Sequence, residues 1–202
     1  MTSTLISVNL GGVTEAPWAG GAGGRSGIDK RPVPGRVTAR ADGLDGDFIG
    51  EPAHHGGVDK AAYAYAREDA VWWERELDRE IPPGRFGENL STCGLDVTGA
   101  VIGERWSIGT AVFEVAIPRT PCTTFAGFWG VPDLVKRFTA HGAPGAYLRV
   151  VTEGEIGAGD VIEVVRRPAH GVTVGETFRA LNLEPELLPR LLVATELPEG
   201  LR

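Results

Sequence analysis

The sequence predicts a mainly β domain: a closed or nearly closed barrel of short strands, with a few inserted helices and a short α-helical C-terminal extension. Three observations predict it. The chain has 202 residues, enough for one domain plus a small appendage. It carries 29 glycines and 14 prolines without a fixed period, which fits many turns between short strands. Its apolar runs are short until Pro168, after which leucines recur at helical spacing. The expected division is therefore residues 1–168 as the β domain and 169–202 as the extension.

Residues 2–10 alternate weakly and read as the first strand. Residues 11–27 are glycine-rich around Pro17-Trp18 and read as a mobile loop. A second strand is expected at 33–40, with Pro34-Gly35 marking an edge or bulge near its start. The apolar run 61–66 reads as a buried strand, although its length also allows a helix start. Ala70, Trp73, Leu77 and Ile81 recur at helical spacing, so a helix is expected over 67–81, stopped by Pro82-Pro83. Glu68 and Asp69 then stand in its first turn, at the positive end of the dipole.

Residues 105–117 read as a strand pair turning at Gly109-Thr110, with Phe113, Val115 and Ile117 on one face. A short helix is expected at 132–141, with Leu134, Val135 and Phe138 as its stripe and Gly142 as its stop. Two further strands, 146–152 and 161–166, flank a turn-rich 153–160. In the extension, Thr173 and Glu176 form a capping box, Phe178, Leu181, Leu187, Leu188, Leu191 and Leu192 supply apolar faces, and Pro185 and Pro189 interrupt them.

The formal net charge of −7 argues against a broad nucleic-acid footprint, which needs a basic surface, but is compatible with a small anion site. No apolar stretch of about 18 residues is present, so no membrane span is expected, and no targeting segment is visible. Two cysteines, Cys93 and Cys122, are too few for a disulfide scaffold, which places the expected compartment in the reducing cytoplasm. Nothing in the pattern assigns an oligomeric state.

Four islands carry residue types that serve binding better than folding. Lys30 and Arg31 follow the glycine-rich loop and read either as solvated charges or as anion contacts. His54-His55-Gly56-Gly57-Val58-Asp59-Lys60 reads as an ordinary tight turn, or as a nest of outward amides with Lys60 adding a point charge. A zinc reading of His54, His55 and Asp59 has no second ligand pair at suitable spacing. Glu88 and Asn89 either cap a turn or hydrogen-bond the edge of a heterocycle. Cys122 follows an expected strand end, three residues after Arg119, whose guanidinium would favour the thiolate. The alternative is a buried structural cysteine. Cys93 lies in a turn and reads as incidental, and a Cys93–Cys122 disulfide has no spacing argument. No dinucleotide fingerprint, phosphate-binding P-loop or nucleophile elbow occurs.

Taken in series, these islands resemble the MOSC domain, named for the C-terminal part of molybdenum cofactor sulfurase. The resemblance runs from about Asn9 to Val165. It rests on Lys30-x-Pro32, Gly43-Leu44-x-Gly46-Asp47, His55-Gly56-Gly57-x-Asp59-Lys60-Ala61 and Phe86-Gly87-Glu88-Asn89. It continues through Ile102-Gly103-Glu104, Pro118-Arg119-x-Pro121-Cys122 and Gly145-Ala146-Tyr147-x-Arg149-Val150. The tail is similar to the helical appendage of a bacterial stand-alone branch. The resemblance implies a β-barrel-like fold and a molybdenum cofactor (molybdopterin). Cys122 falls in the role of molybdenum ligand and catalytic residue, or of a persulfide-bearing sulfur carrier. Lys30, Arg31, His55, Gly56, Gly57, Asp59, Lys60, Glu88, Asn89 and Arg119 become the candidate cofactor contacts. It implies an oxidoreductase for N-hydroxylated compounds such as hydroxylaminopurine-type bases; a sulfur carrier or a non-catalytic cofactor-binding module are the alternatives. With no flavin, haem or iron–sulfur motif in the chain, electrons are expected from a separate donor protein. A pyridoxal-phosphate domain is not expected in a chain of this length.

Overall fold

The computed structural model describes residues 2–19, 24–50 and 55–201. Strand exceeds helix, 32% against 26%. In chain order the strands are β1 (Thr4–Gly11), β2 (Thr14–Glu15), β3 (Arg25–Ser26), β4 (Lys30–Pro32), β5 (Arg36–Arg40), β6 (Gly43–Leu44) and β7 (Ala62–Ala66). After them come β8 (Leu90–Cys93), β9 (Arg105–Ile108), β10 (Ala111–Pro118), β11 (Ala146–Thr152), β12 (Gly154–Gly157) and β13 (Ile162–Arg166). The helices are α1 (Arg67–Leu77), α2 (Thr123–Trp129), α3 (Leu134–His141), α4 (Val174–Asn182) and α5 (Leu188–Leu191).

Eight strands form the main sheet in the order β13-β9-β10-β11-β7-β8-β1-β4. All pairs are antiparallel except β7 with β8, which lie parallel because α1 crosses between them. The sheet does not close. Thr4 of β1 makes an isolated bridge to Val161 at the start of β13, and Leu5 N–H donates to the Asp160 carbonyl at 2.9 Å. Gly159 N–H donates to the Leu5 carbonyl and Ile162 N–H to the Ser3 carbonyl, both at 2.8 Å, so β1 and the start of β13 meet over a short stretch without a continuous ladder, and no closed barrel forms among the described residues.

β7 explains why its sequence reads as an unbroken apolar run. Ala62, Ala64 and Ala66 join the core inside the sheet, while Tyr63 and Tyr65 face a second, aromatic core under α1–α3. A strand buried on both faces shows no polar alternation. Phe86 sits at the centre of the second core, stacked on Tyr65 with ring centroids 4.2 Å apart and 4.9 Å from Trp129. Val172, Val174, Ala180, Leu191, Ala194 and Leu197 of the extension pack into the first core, so the extension and the sheet share one interior.

Several expected elements change at their edges. The stretch expected as a loop at 11–27 begins inside β1 and contains the small β2–β3 hairpin. The strand expected at 33–40 begins only at Arg36 as β5, because Pro34-Gly35 forms a turn in which Gly35 takes φ +80°, and a separate short strand, β4, precedes it. α1 ends at Leu77, before Ile81 and the prolines. Asp78 adopts the left-handed conformation there and the Glu74 carboxylate accepts the Ile81 N–H (2.8 Å), so polar groups terminate the helix. The turn-rich 153–160 contains β12, paired with β5. The capping box is half realised: Thr173 accepts the Glu176 N–H (3.1 Å), but the Glu176 carboxylate pairs with Arg190. α2 has no counterpart among the elements that the sequence pattern predicts. The pair β9–β10 and the strand β11 lie where the pattern places them.

Candidate functional site

One cleft, about 760 Å3 including its open mouth, brings together Lys30, His55, Lys60, Asn89, Arg119 and Cys122. These residues come from four separate stretches of chain. β10 ends at Pro118, which places Arg119 at the sheet rim, and Cys122 is the N-cap of α2. The turn Val58–Lys60 enters β7 from the other side, while β4 supplies Lys30 and the loop before β8 supplies Asn89. The wall demands glycine at Gly27, where an added Cβ would sit 1.8 Å from the Phe48 carbonyl oxygen. Gly87 holds φ +80° on the same wall.

Cys122 is half-buried and free, as is Cys93, so no disulfide joins them. Burial pushes the Cys122 thiol up, but a hydrogen bond with His55, the charge of Arg119 and the Phe125 N–H outweigh it and bring the thiol to about 7. Arg119 is 5% exposed, and its guanidinium lies over the Phe125 ring, 4.1 Å from the centroid. The side chain hydrogen-bonds the Tyr147 hydroxyl, but its Nη1 is buried with no hydrogen-bond partner. A buried cationic donor left unsatisfied is costly, and it marks the place where an anionic or acceptor group fits. Lys60 lies 5.9 Å from the centre of the Tyr147 ring, and a second hollow, about 870 Å3 including its open mouth, reaches Cys122 past Thr120 and Thr123 and shares His55, Lys60 and Tyr147 with the cleft.

The other candidates have different employment. Lys30 lines the cleft, but its ammonium is gripped by Asp47, with Oδ2 at 2.6 Å. Burial pulls the Lys30 pKa down, against the pull of Asp47 and Glu88. Asn89 also faces the cleft, yet its amide donates to Asp47 Oδ2 (2.9 Å) and Asn9 O (3.2 Å), and its Oδ1 accepts from Tyr63 N (3.1 Å). Glu88 lies behind the wall and accepts from Gly84 N (2.6 Å), Phe86 N (2.9 Å) and the Ser91 hydroxyl (2.8 Å). It caps a turn and does not line the cleft. Arg31 points away on the sheet edge, exposed and paired with Asp29. Gly56 and Gly57 lie outside the cleft wall; Gly57 takes φ +95° with open space beside it, which is turn geometry. Asp59 pairs with Arg149, also outside the cleft. His54 lies outside the described residues. Asp47, Tyr63 and Tyr147, and also Arg25 and Thr124, are among the cleft residues to which sequence reasoning gave no role. Asp47 and Tyr147 stand within quoted motifs, so the signal was present without a role; Tyr63 looked like plain strand.

No group of three His, Cys, Asp or Glu residues that could hold a metal ion exists among the described residues. The cleft therefore offers a metal one soft sulfur, with the remaining ligands left to whatever group carries the metal. No helix among the described residues is long and apolar enough to cross a membrane.

The MOSC domain family matches residues 51–163, which include the turn with His55 and Lys60 and the rim with Arg119 and Cys122. The chain belongs to the MOSC family. Among curated relatives, YflK of Bacillus subtilis is 33% identical over 171 residues, covering 85% of this chain and 77% of that protein. A fungal protein named "Reductase", from Gibberella moniliformis, is 30% identical over 200 residues; the match takes in 96% of this chain but 35% of the fungal protein. The crystal structure of YiiM from Geobacillus stearothermophilus superposes with a TM-score of 0.82 at 28% identity, over 99% of this chain and 95% of that one. This MOSC chain shares the whole length of that fold, extension included.

Proposed function

We propose that this MOSC protein binds a molybdenum cofactor in the Cys122 cleft and reduces N-hydroxylated compounds, hydroxylaminopurine-type bases among them. The observation that carries the reading is the pairing in one cleft of a thiol near pKa 7 with a buried guanidinium whose Nη1 has no partner. The family association with the cofactor and the name of the fungal relative support it.

The residues present fit the group. Cys122 supplies a soft thiolate for molybdenum. Arg119 Nη1 supplies a donor for an acceptor atom of the pterin or its phosphate, and Lys60 supplies a charge at the mouth. When bound, the cofactor supplies the two-electron chemistry. The chain contributes the sulfur, the anion contacts and, through His55 beside Cys122, a group able to hold a proton near the reacting centre. Electrons come from a separate donor protein, and the reaction belongs to the cytoplasm.

Protein produced in cells that make the cofactor is expected to hold about one molybdenum per chain, and Cys122→Ser to lose most of it. The loaded protein, given a chemical reductant, should convert 6-hydroxylaminopurine to adenine. Equal molybdenum in both proteins would remove Cys122 from the ligand role.

A second reading is favoured by the same low thiol pKa: Cys122 as a carrier of persulfide sulfur. Intact mass after treatment with a persulfide donor separates the two, since a carrier gains one reductant-labile sulfur at Cys122.

A further inference from the structure

Two residues of the quoted motifs, Asp59 and Arg149, face neither the cleft nor the second hollow, yet they meet each other. Arg149 stands on β11, paired in register with Glu114 of β10. Its guanidinium has three edges and each is used on a different part of the molecule. Nε donates to the Asp59 carboxylate in the turn Val58–Lys60. Nη1 donates to Glu114 Oε1 at 3.0 Å, on the sheet. Nη2 donates to the Glu196 carbonyl at 2.9 Å, in the C-terminal extension. Glu196 is itself tied down, with its carboxylate on Arg166 (2.9 Å) and neighbouring Leu197 buried in the core.

The turn held at Asp59 is short. Lys60 N–H closes it onto the Gly57 carbonyl at 2.9 Å, and His55 and Lys60 flank it at either end with their side chains in the cleft. Between His55 and Asp59 lie two glycines, which give the backbone little resistance of its own. A planar fork that satisfies three acceptors at once fixes orientation in a way that a lysine point charge cannot.

We infer that Arg149 is a positioning residue: it pins the turn that presents His55 and Lys60 to Cys122, and through the Glu196 carbonyl it makes that placement depend on the docked extension. This inference rests on the reading of the Cys122 cleft as the site, but not on the identity of what binds there. The extension has no residue in the cleft, and Arg149 gives it a direct route to the site.

Two measurements test it, in full-length protein with Cys93→Ser so that only Cys122 reacts. The first is hydrogen exchange over residues 55–61. Arg149→Met and Asp59→Asn should speed exchange there by about tenfold, because a local opening loses its latch. Leu197→Ala, which loosens the extension at Glu196, should raise it as well. Arg105→Met is the control: it shares Glu114 with Arg149 but not Asp59, and should leave the turn unchanged.

The second is the ratio of Cys122 alkylation rates with iodoacetate and iodoacetamide at one pH. The thiolate fraction and general loosening cancel in that ratio, which reports positive charge presented to the sulfur. Lys60→Met sets the fall expected when that charge is removed. Arg149→Met should reproduce at least half of the fall while Arg105→Met leaves the ratio as in the parent. Faster exchange with an unchanged ratio in Arg149→Met overturns positioning, and unchanged exchange overturns the latch itself. Neither measurement needs molybdenum, so a metal-free result for the chain sinks the proposed function and leaves this inference standing.

Discussion

Replacing Asp47 with alanine separates two uses of Lys30. The Lys30 and Asp47 side chains are 9% and 6% exposed, and Asp47 also accepts from Gly11 N (2.7 Å) and Asn89 Nδ2 (2.9 Å). Asp47→Ala leaves a buried ammonium and two donors without their acceptor. Breaking a buried pair from one side costs about 3–5 kcal/mol. For a chain of this size that corresponds to a fall in Tm of roughly 6–20 °C. The deficit is pH-dependent with a definite sign. Burial already lowers the Lys30 pKa, and losing Asp47 lowers it further. The unfolded chain then binds the proton more tightly than the native one, so the variant regains stability as pH rises towards 10. Urea denaturation at pH 7 and pH 9.5 measures both effects. The double variant Lys30→Met with Asp47→Leu, which removes the buried charge but still leaves the Gly11 and Asn89 donors without Asp47, should recover the part of the loss due to the unpaired ammonium and remain about 1–3 kcal/mol below the parent. A loss below about 1 kcal/mol in Asp47→Ala, no larger than an exposed pair such as Arg40–Asp45 contributes, would refute the buried-pair account and return Lys30 to the anion contacts.

Three further outcomes are expected. The rate of Cys122 alkylation should rise with pH through a midpoint near 7, and Arg119→Met should move that midpoint up, as followed by mass spectrometry from pH 5 to 9.5. Burial raises the Asp69 carboxyl to about 6, with Asp96 and Glu68 adding to it. The native state therefore holds this proton more tightly than the unfolded one, and the Asp69 contribution to stability is lost as pH rises from about 4 through 6. Asp69→Asn should stabilise the protein by about 1–2 kcal/mol at pH 7 and flatten that slope in thermal melts. Glu88→Ala, which strips the acceptor from two backbone N–H groups and the Ser91 hydroxyl, should cost about 2–4 kcal/mol by urea denaturation and lower the Tm accordingly.

The residues that sequence reading placed best were those whose local chemistry is self-contained. Gly109 must turn β9 into β10, and the alternation on either side leaves no other register. Cys122 and Arg119 were legible because a strand end followed by proline, cysteine and a nearby guanidinium needs no distant partner to stand out. Lys30 and Glu88 have internal partners that the sequence does not show, for one reason. A charge in a sequence advertises binding, and only packing shows whether an internal counter-group has taken it. Asp47 lies seventeen residues from Lys30, and the Gly84 and Phe86 amides are visible to Glu88 only once the turn exists. α2 escaped because a helix of seven residues carries barely two turns of periodicity, and what stabilises it is Phe125 and Trp129 in the aromatic core.

By itself the sequence determined the class of the fold, the order of most elements, the family and the choice of Cys122 over Cys93 as the candidate thiol. Those follow from local patterns: period, turn chemistry and motifs in series. Tertiary structure decided that the sheet stays open, and that Lys30 and Asn89 serve Asp47 before any ligand. It also left Arg119 Nη1 as a buried cationic donor without a partner. It decided, too, that Arg149 ties the extension to the turn beside Cys122. Each of those outcomes depends on which polar groups meet after burial, and that is a contest between residues far apart in the chain, settled by desolvation and geometry.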